Sequence, residues 1–160
     1  MRVVSAGEWV LLAYRVPREP STPRIALWRA LRRLGAAQVI DGLVALPADS
    51  RTREQVEWLA DSVIEVGGHA TVWLARPGSR AQERAIAAGM QAAVGAEYAQ
   101  LASEAAEAGS LAIGTRKRTL GRLRRELRRI RRRDYFAARE GARARAAVEA
   151  LALSVDEVLA

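Results

Sequence analysis

The sequence predicts an α+β fold, with a β-α-β-β-α-β core over residues 1–78 and an α-helical extension over 79–160. Three observations predict it. Up to residue 76, short runs of β-forming residues alternate with stretches of helical period. Two of the short runs are joined by Asp41-Gly42, the two-residue signature of a tight hairpin. From Ser79 onward the chain is alanine-rich and helical in pattern. Strand-helix-strand-strand-helix-strand is the ferredoxin-like arrangement, with two helices on one face of a sheet.

Glu8 to Arg15, EWVLLAYR, has strand composition and length, and Val16-Pro17-Arg18-Glu19-Pro20 breaks it. Ser21-Thr22-Pro23 starts a helix, with a hydroxyl residue at the cap and proline in the first turn. That helix runs to about Leu34, with Ile25, Trp28, Leu31 and Leu34 as its expected apolar face, and Gly35 suits the left-handed position that ends it. Ala36–Ile40 and Leu43–Leu46 read as short strands, the second stopped by Pro47. Ser50 to Val66 is a second helix, with Val56, Leu59, Val63 and Val66 at 3-4-3 spacing, and Gly67-Gly68 ends it. His69 to Leu74 is the fourth strand. Both faces of the first strand are apolar, so the face opposite the helices needs a cover, from the C-terminal helices or a second subunit.

In the extension, Gly89, Gly95, Gly109 and Gly114 are weak points for a helix. Residues 116–140 read as an arginine-rich helix whose Leu120, Leu123, Leu127 and Ile130 form an a/d-like seam. A last short helix is expected over about Ala142 to Leu153.

Composition excludes several classes of chemistry. Cysteine is absent, which removes disulfides, zinc–thiolate sites, iron–sulfur clusters and thiol nucleophiles. A single histidine, His69, excludes a multi-histidine metal site and leaves one candidate base for a Ser/His/Asp triad. No cofactor and no metal are expected. No apolar run approaches the ~20 residues of a membrane helix, and the start meets a charge at once, so the expected location is the cytoplasm. The formal net charge of +8 implies an anionic partner. Between Thr115 and Arg145 there are 14 basic and 3 acidic residues, a local net of +11, so the rest of the chain is net acidic.

Two stretches carry a family resemblance. The run beginning at Trp9, WVLLAYRVPREPSTPRIALWRALRRLGA, resembles the opening of the chromate-resistance regulator ChrB in its Tyr-Arg-Val-Pro, its Pro-Ser and its Trp-Arg before Leu-Gly-Ala. Leu123 to Phe136, LRRELRRIRRRDYF, is similar to that family's Arg/Leu helix closing on Arg-Asp-aromatic-Phe. The resemblance implies a transcriptional regulator that responds to chromate and controls a chromate-efflux operon. Family members commonly carry a second domain beyond this region, so a split pair with a separate partner domain is one arrangement it implies. The core is more distantly similar to the ferredoxin-like domain of PaaX-type repressors and to a small CRISPR-associated nuclease family. The nucleases hold a metal with an aspartate at the end of the first strand. Tyr14-Arg15 stands there instead, and a cation cannot replace a carboxylate ligand, which argues against an enzyme.

Two sites stand out. Arg122, Arg125, Arg129 and Arg132 lie at i, i+3, i+7, i+10, a row that could follow the backbone of double-stranded DNA. The competing readings are a solvated face, an acidic protein partner, or an acidic membrane, the last disfavoured because the seam is better used in packing. At the first strand–helix corner, Arg15, Arg18 and Arg24 gather around a helix start, where free N–H groups favour an anion. Guanidinium groups grip tetrahedral oxyanions, and chromate and sulfate share that shape. The bland reading pairs Arg15 or Arg24 with Glu19. Trp9, Trp28, Trp58 and Trp73 are expected in core or interface packing rather than base stacking, and His69 in a structural role. Asp61 and Glu65, at i, i+4, find no third metal ligand. The expected function is a chromate-responsive, DNA-binding, homodimeric regulator. The alternative is a non-enzymatic interaction module for an acidic partner or sensor domain.

Overall fold

The computed structural model describes residues 7–160. Residues 1–6, which include the early charge at Arg2, lie outside the described residues. The elements are β1 (Trp9–Arg15), α1 (Thr22–Leu34), β2 (Ala37–Ile40), β3 (Leu43–Pro47), α2 (Ser50–Glu65), β4 (His69–Ala75), α3 (Arg80–Ala108), α4 (Ile113–Arg132) and α5 (Glu140–Leu159). The chain divides into two compact units, one ending at Met90 and one spanning Gln91–Ala160.

The first unit is a four-stranded antiparallel sheet in the order β2-β3-β1-β4, the ferredoxin-like topology. The alternation of β1 sends Val10 and Leu12 to one face, in register with Leu46 and Val44 on β3 and with Leu74 and Val72 on β4. Val10 and Leu12 are fully buried. α2 packs on β1 and β4 with Val56, Ala60 and Val63 buried, and it touches α1. On the other face, the Trp9 indole N–H donates to Glu83 Oε1 at 3.1 Å, so the start of α3 closes over that end of the sheet. Trp73, further along the same face, stays exposed.

Local chemistry explains the turns. Gly35 takes φ 71° and ends α1 with its N–H on the Arg32 and Leu31 carbonyls, as expected of a left-handed cap. Gly42 closes the hairpin at φ 79°, and a Cβ there would lie 2.7 Å from the Tyr14 carbonyl oxygen. At the start of α2, the Asp49 carboxylate accepts from the Thr52 N–H at 2.8 Å while Thr52 Oγ1 accepts from the Asp49 N–H at 2.9 Å. This reciprocal cap satisfies two amides at the helix start. Thr52 Oγ1 also donates to the Pro47 carbonyl at 2.7 Å, tying α2 to the end of β3.

Several expectations need correction. On α1 the buried pair is Leu27 and Leu31, while Ile25 and Trp28 face solvent. The core takes compact aliphatics at i, i+4, and Trp28 instead lies under the Arg32 guanidinium, 5.0 Å from the ring centroid. Only Trp9 of the four tryptophans is in the core, and Trp28, Trp58 and Trp73 are all exposed. Val66 is exposed, and Thr52 and Ala60 complete the buried face of α2. α3 runs unbroken through Gly89 and Gly95. The arginine helix ends at Arg132, well short of Glu140, and α5 extends beyond Leu153 to Leu159.

All four tryptophans belong to the first unit, so tryptophan fluorescence follows its unfolding alone. Thr52→Val keeps the side-chain shape but strips the Pro47 carbonyl and the Asp49 N–H of a buried partner. The expected loss is about 1–3 kcal/mol, read as a lower urea midpoint. A midpoint equal to that of the parent protein would refute this role of the hydroxyl.

Candidate nucleic-acid interface

The second unit is built on the α4 seam. Leu120, Leu123 and Ile130 are buried as their 3-4-3 spacing predicts, with Leu127 packed beside them. Against them come Val94, Tyr98, Leu101, Ala105 and Ala108 from α3 and Ala144, Val148, Leu151 and Val155 from α5. Both sets repeat at alternating steps of three and four. Ion pairs join Glu104 to Arg122 and Glu97 to Arg133, so α3 and α4 run antiparallel. Arg116 donates to the Ser154 carbonyl at 3.2 Å, which makes α4 and α5 antiparallel too.

Burial of the seam decides which cations face outward. Those flanking the α3 side find carboxylates. Arg122 Nη2 donates to Glu104 Oε2 at 2.6 Å, and this hydrogen bond holds the Glu104 carboxyl below its usual range. Arg129 pairs with Glu126 at 3.5 Å. Arg133 donates to Glu97 and also meets Glu126 at 3.6 Å. Burial pulls the Arg133 guanidinium down, and the two carboxylates more than restore it, so its pKa ends above the ordinary value. The Arg133 side chain is only 13% exposed and is committed to holding the helices together. Arg122 and Arg129 form surface pairs worth about 0–1 kcal/mol each, weak enough for a phosphate to displace.

The opposite flank of α4 is different. Lys117, Arg118, Arg124, Arg125, Arg128 and Arg131 are exposed, and none has a carboxylate partner among the described residues. Lys117, Arg124, Arg128 and Arg131 fall at i, i+7, i+11, i+14, with Arg118 and Arg125 in the neighbouring stripe. At 1.5 Å per residue, Lys117 to Arg131 spans roughly 21 Å, the reach of about six nucleotide steps along one strand of a duplex. Of the row expected from sequence, Arg125 belongs to this flank, Arg122 and Arg129 to the paired flank, and Arg132 is exposed near the helix end.

The Arg-Asp-Tyr-Phe stretch closes the helix pair. After α4 stops at Arg132, the Asp134 carboxylate accepts from the Ala138 N–H at 3.0 Å and from the Tyr98 hydroxyl at 3.1 Å. Tyr135 is buried, and the Phe136 carbonyl accepts from Gln91 Nε2 at 2.9 Å. Gly141 lets α5 approach, since a Cβ there would meet the Tyr98 ring at 3.2 Å. Arg131 and Arg145 both act on the Tyr98 phenol and oppose the rise of its pKa. The pattern over 116–140 predicts helix throughout this stretch, and the helix stops at Arg132. The local signal for that stop is the aspartate, a residue that caps turns.

At the β1–α1 corner, Arg15 and Arg18 line an open groove with Gly67, Gly68 and His69, and Arg15 stands directly opposite His69 in the β1–β4 register. Arg24 lies on α1 and does not line that groove. Ser21 occupies the cap position without a side-chain hydrogen bond to the helix. The described residues contain no ion pair from Arg15, Arg18 or Arg24 to Glu19. No helix among the described residues is long and apolar enough to cross a membrane.

Burial, first, and then the Asp134 carboxylate raise the Tyr98 pKa far above the ordinary phenol value. A pKa raised in the folded state means that Tyr98 supports stability below its unfolded value, about 10, and that this support is lost as pH rises further. The urea midpoint of the helical unit, followed by far-UV circular dichroism, should therefore fall as pH passes 10. Tyr98→Phe should flatten that fall. An equally steep fall in the variant would refute the assignment.

One family model matches this chain, over residues 24–110, and its description is Protein ChrB, N-terminal. The match takes in α1 through α3 and leaves out β1 and the whole of α4. No curated protein and no solved structure matches the chain. With more than half of its 160 residues under that model, in a ferredoxin-like core followed by helices, the chain belongs to the family of the ChrB amino-terminal domain.

Proposed function

We propose that the protein is a non-enzymatic, DNA-binding regulator of a chromate-resistance operon, with the outer flank of α4 as its phosphate-contacting surface. The observation that carries this reading is the set of six exposed cations on α4 that lack a carboxylate partner. Repulsion among like charges on one helix is unfavourable, and phosphates relieve it while releasing condensed counterions. Arg122, Arg129 and Arg132 extend the surface, the first two by exchanging weak pairs for phosphates. Such contacts set affinity and register but do not read bases.

In the same proposal, Arg15 and Arg18, with Arg24 nearby on α1, receive the oxyanion effector. The groove at that corner supports this, as does the uncapped start of α1. Chromate and sulfate present the same tetrahedral dianion to guanidinium groups. A second reading has one observation in its favour: α4 already meets acidic side chains through Glu97 and Glu104, so an acidic protein partner would meet similar chemistry on the other flank.

Binding to the chain's own upstream DNA, by fluorescence anisotropy across a salt series with and without chromate, tests the proposal. Affinity should fall steeply with salt and fall again with chromate. Arg125→Gln with Arg128→Gln should weaken all sequences alike and reduce the salt slope by about 2, near one per lost phosphate contact. Glu126→Gln, which releases Arg129 while Arg133 keeps its Glu97 partner, should strengthen binding in a protein whose circular dichroism is unchanged. Absence of binding at low salt would overturn the proposal in favour of the acidic partner. Binding indifferent to chromate would overturn the effector assignment alone.

A further inference from the structure

The turn between α2 and β4 runs against the end of β1. A Cβ built on Gly68 would lie 2.6 Å from the Arg15 carbonyl oxygen, so only glycine fits there. The turn thereby delivers His69 to the position directly opposite Arg15 in the β1–β4 register. Directly opposed residues of an antiparallel pair point to one face of the sheet, with Cβ atoms about 5 Å apart. Arg15, Arg18 and His69 are all exposed, and all three line the groove at the β1–α1 corner. The amides of Gly67 and Gly68 are already committed, since they donate to the Ile64 and Val63 carbonyls at 3.0 and 2.9 Å and end α2. Those two amides are not available to an anion, and the groove's side-chain donors are Arg15, Arg18 and His69. Of these side-chain types, only imidazole exchanges a proton near neutral pH.

The other charged residues on the elements around His69 are Glu19 in the loop after β1, Arg24 on α1, and Asp61 and Glu65 near the end of α2. All are exposed, and among the described residues none of these acids forms an ion pair with Arg15, Arg18 or His69. Two guanidinium groups and an imidazole therefore share one groove with no carboxylate paired to them.

We infer that His69 is a third ligand of the oxyanion groove, and that a tetrahedral dianion binds there together with one proton. The inference rests on the oxyanion reading of this corner and adds the group that sets its charge. With the imidazole neutral, Arg15 and Arg18 supply two positive charges. A proton taken from solvent onto the ring adds a third charge and a second N–H donor. Imidazolium and guanidinium at cross-strand distance repel, and an anion held between them removes that repulsion. Anion and proton are thus positively coupled, and each raises the affinity for the other by the same factor. Effector affinity falls as pH rises.

Sulfate is the probe, because it stays a dianion across the neutral range, whereas chromate itself takes up a proton there. Calorimetry of the full chain in buffers of different ionisation enthalpy should show proton uptake with sulfate binding. The arginines of α4 contribute none, since guanidinium is always protonated. Sulfate affinity at the corner should be about tenfold higher at about pH 6 than at about pH 8. The chain has one histidine, so its single ring resonance by NMR should move toward the protonated position as sulfate is added. His69→Gln keeps a donor but cannot take a proton, and should bind sulfate with no uptake and no pH dependence over that range. Arg15→Gln with Arg18→Gln should abolish the response of the ring. Sulfate binding identical in the parent and in that double variant would overturn the oxyanion reading of the corner, and the inference with it. Sulfate binding that is lost in the double variant but takes up no proton in the parent would overturn the inference alone. So would proton uptake that persists in His69→Gln.

Discussion

The second unit rests on a charge constraint. α4 must bury a leucine seam while carrying ten basic residues and one acid, Glu126. Apolar burial of three or four such side chains contributes about 1.5–3 kcal/mol each. Repulsion among neighbouring cations at i, i+3 and i+4 opposes it by a few tenths of a kcal/mol per pair. Burial therefore wins, but only if the cations nearest the interface are neutralised. α3 performs that task with Glu97 and Glu104, spaced seven residues apart on one face. Arg133 is the central member, because it alone is both largely buried and bound to two carboxylates. A buried cation stripped of such partners would cost far more than the surface pairs of Arg122 or Arg129 are worth.

The same constraint limits what was legible in the sequence. The seam could be read because its 3-4-3 spacing is local, and the hairpin and the Gly35 cap could be read because turn chemistry is local. The division of α4 into a paired and an unpaired flank could not, because it depends on Glu97 and Glu104, more than fifteen positions away in the chain. A row at i, i+3, i+7, i+10 is a valid helical stripe, but the acids of α3 decide whether its members are free. The end of α4 escaped for a similar reason. Arg-Arg-Asp-Tyr-Phe has no glycine or proline, and Asp134 acts as a cap only once the Tyr98 hydroxyl and the Ala138 N–H are placed around it.

In the first unit the order of elements along the chain could be read from the alternation of apolar runs, while the buried faces of the helices could not. An amphipathic stripe can be drawn through Ile25, Trp28, Leu31 and Leu34 or through Leu27 and Leu31. Burial selects the second, because close packing in a core favours aliphatics that leave no void. The displaced indole is then stabilised from outside by Arg32. Thr52 was equally hidden. A threonine in the first turn of a helix looks solvent-facing until the Pro47 carbonyl is seen to need a donor.

The matched family region and the cationic helix are different parts of this chain. The match ends at residue 110, and α4 begins at Ile113. Family membership is therefore carried by β2 to β4, the sheet helices and α3, and the case for a phosphate surface rests on the electrostatics of α4 by itself. α3 belongs to both arguments. It lies inside the family match, and it supplies the carboxylates that dispose of one flank of α4. Had those acids been absent, Arg122 would have been as unpaired as the cations of the opposite flank. Their presence turns a uniformly basic helix into one with a structural side and a side left for an anion, which is a selection that neither helix makes alone.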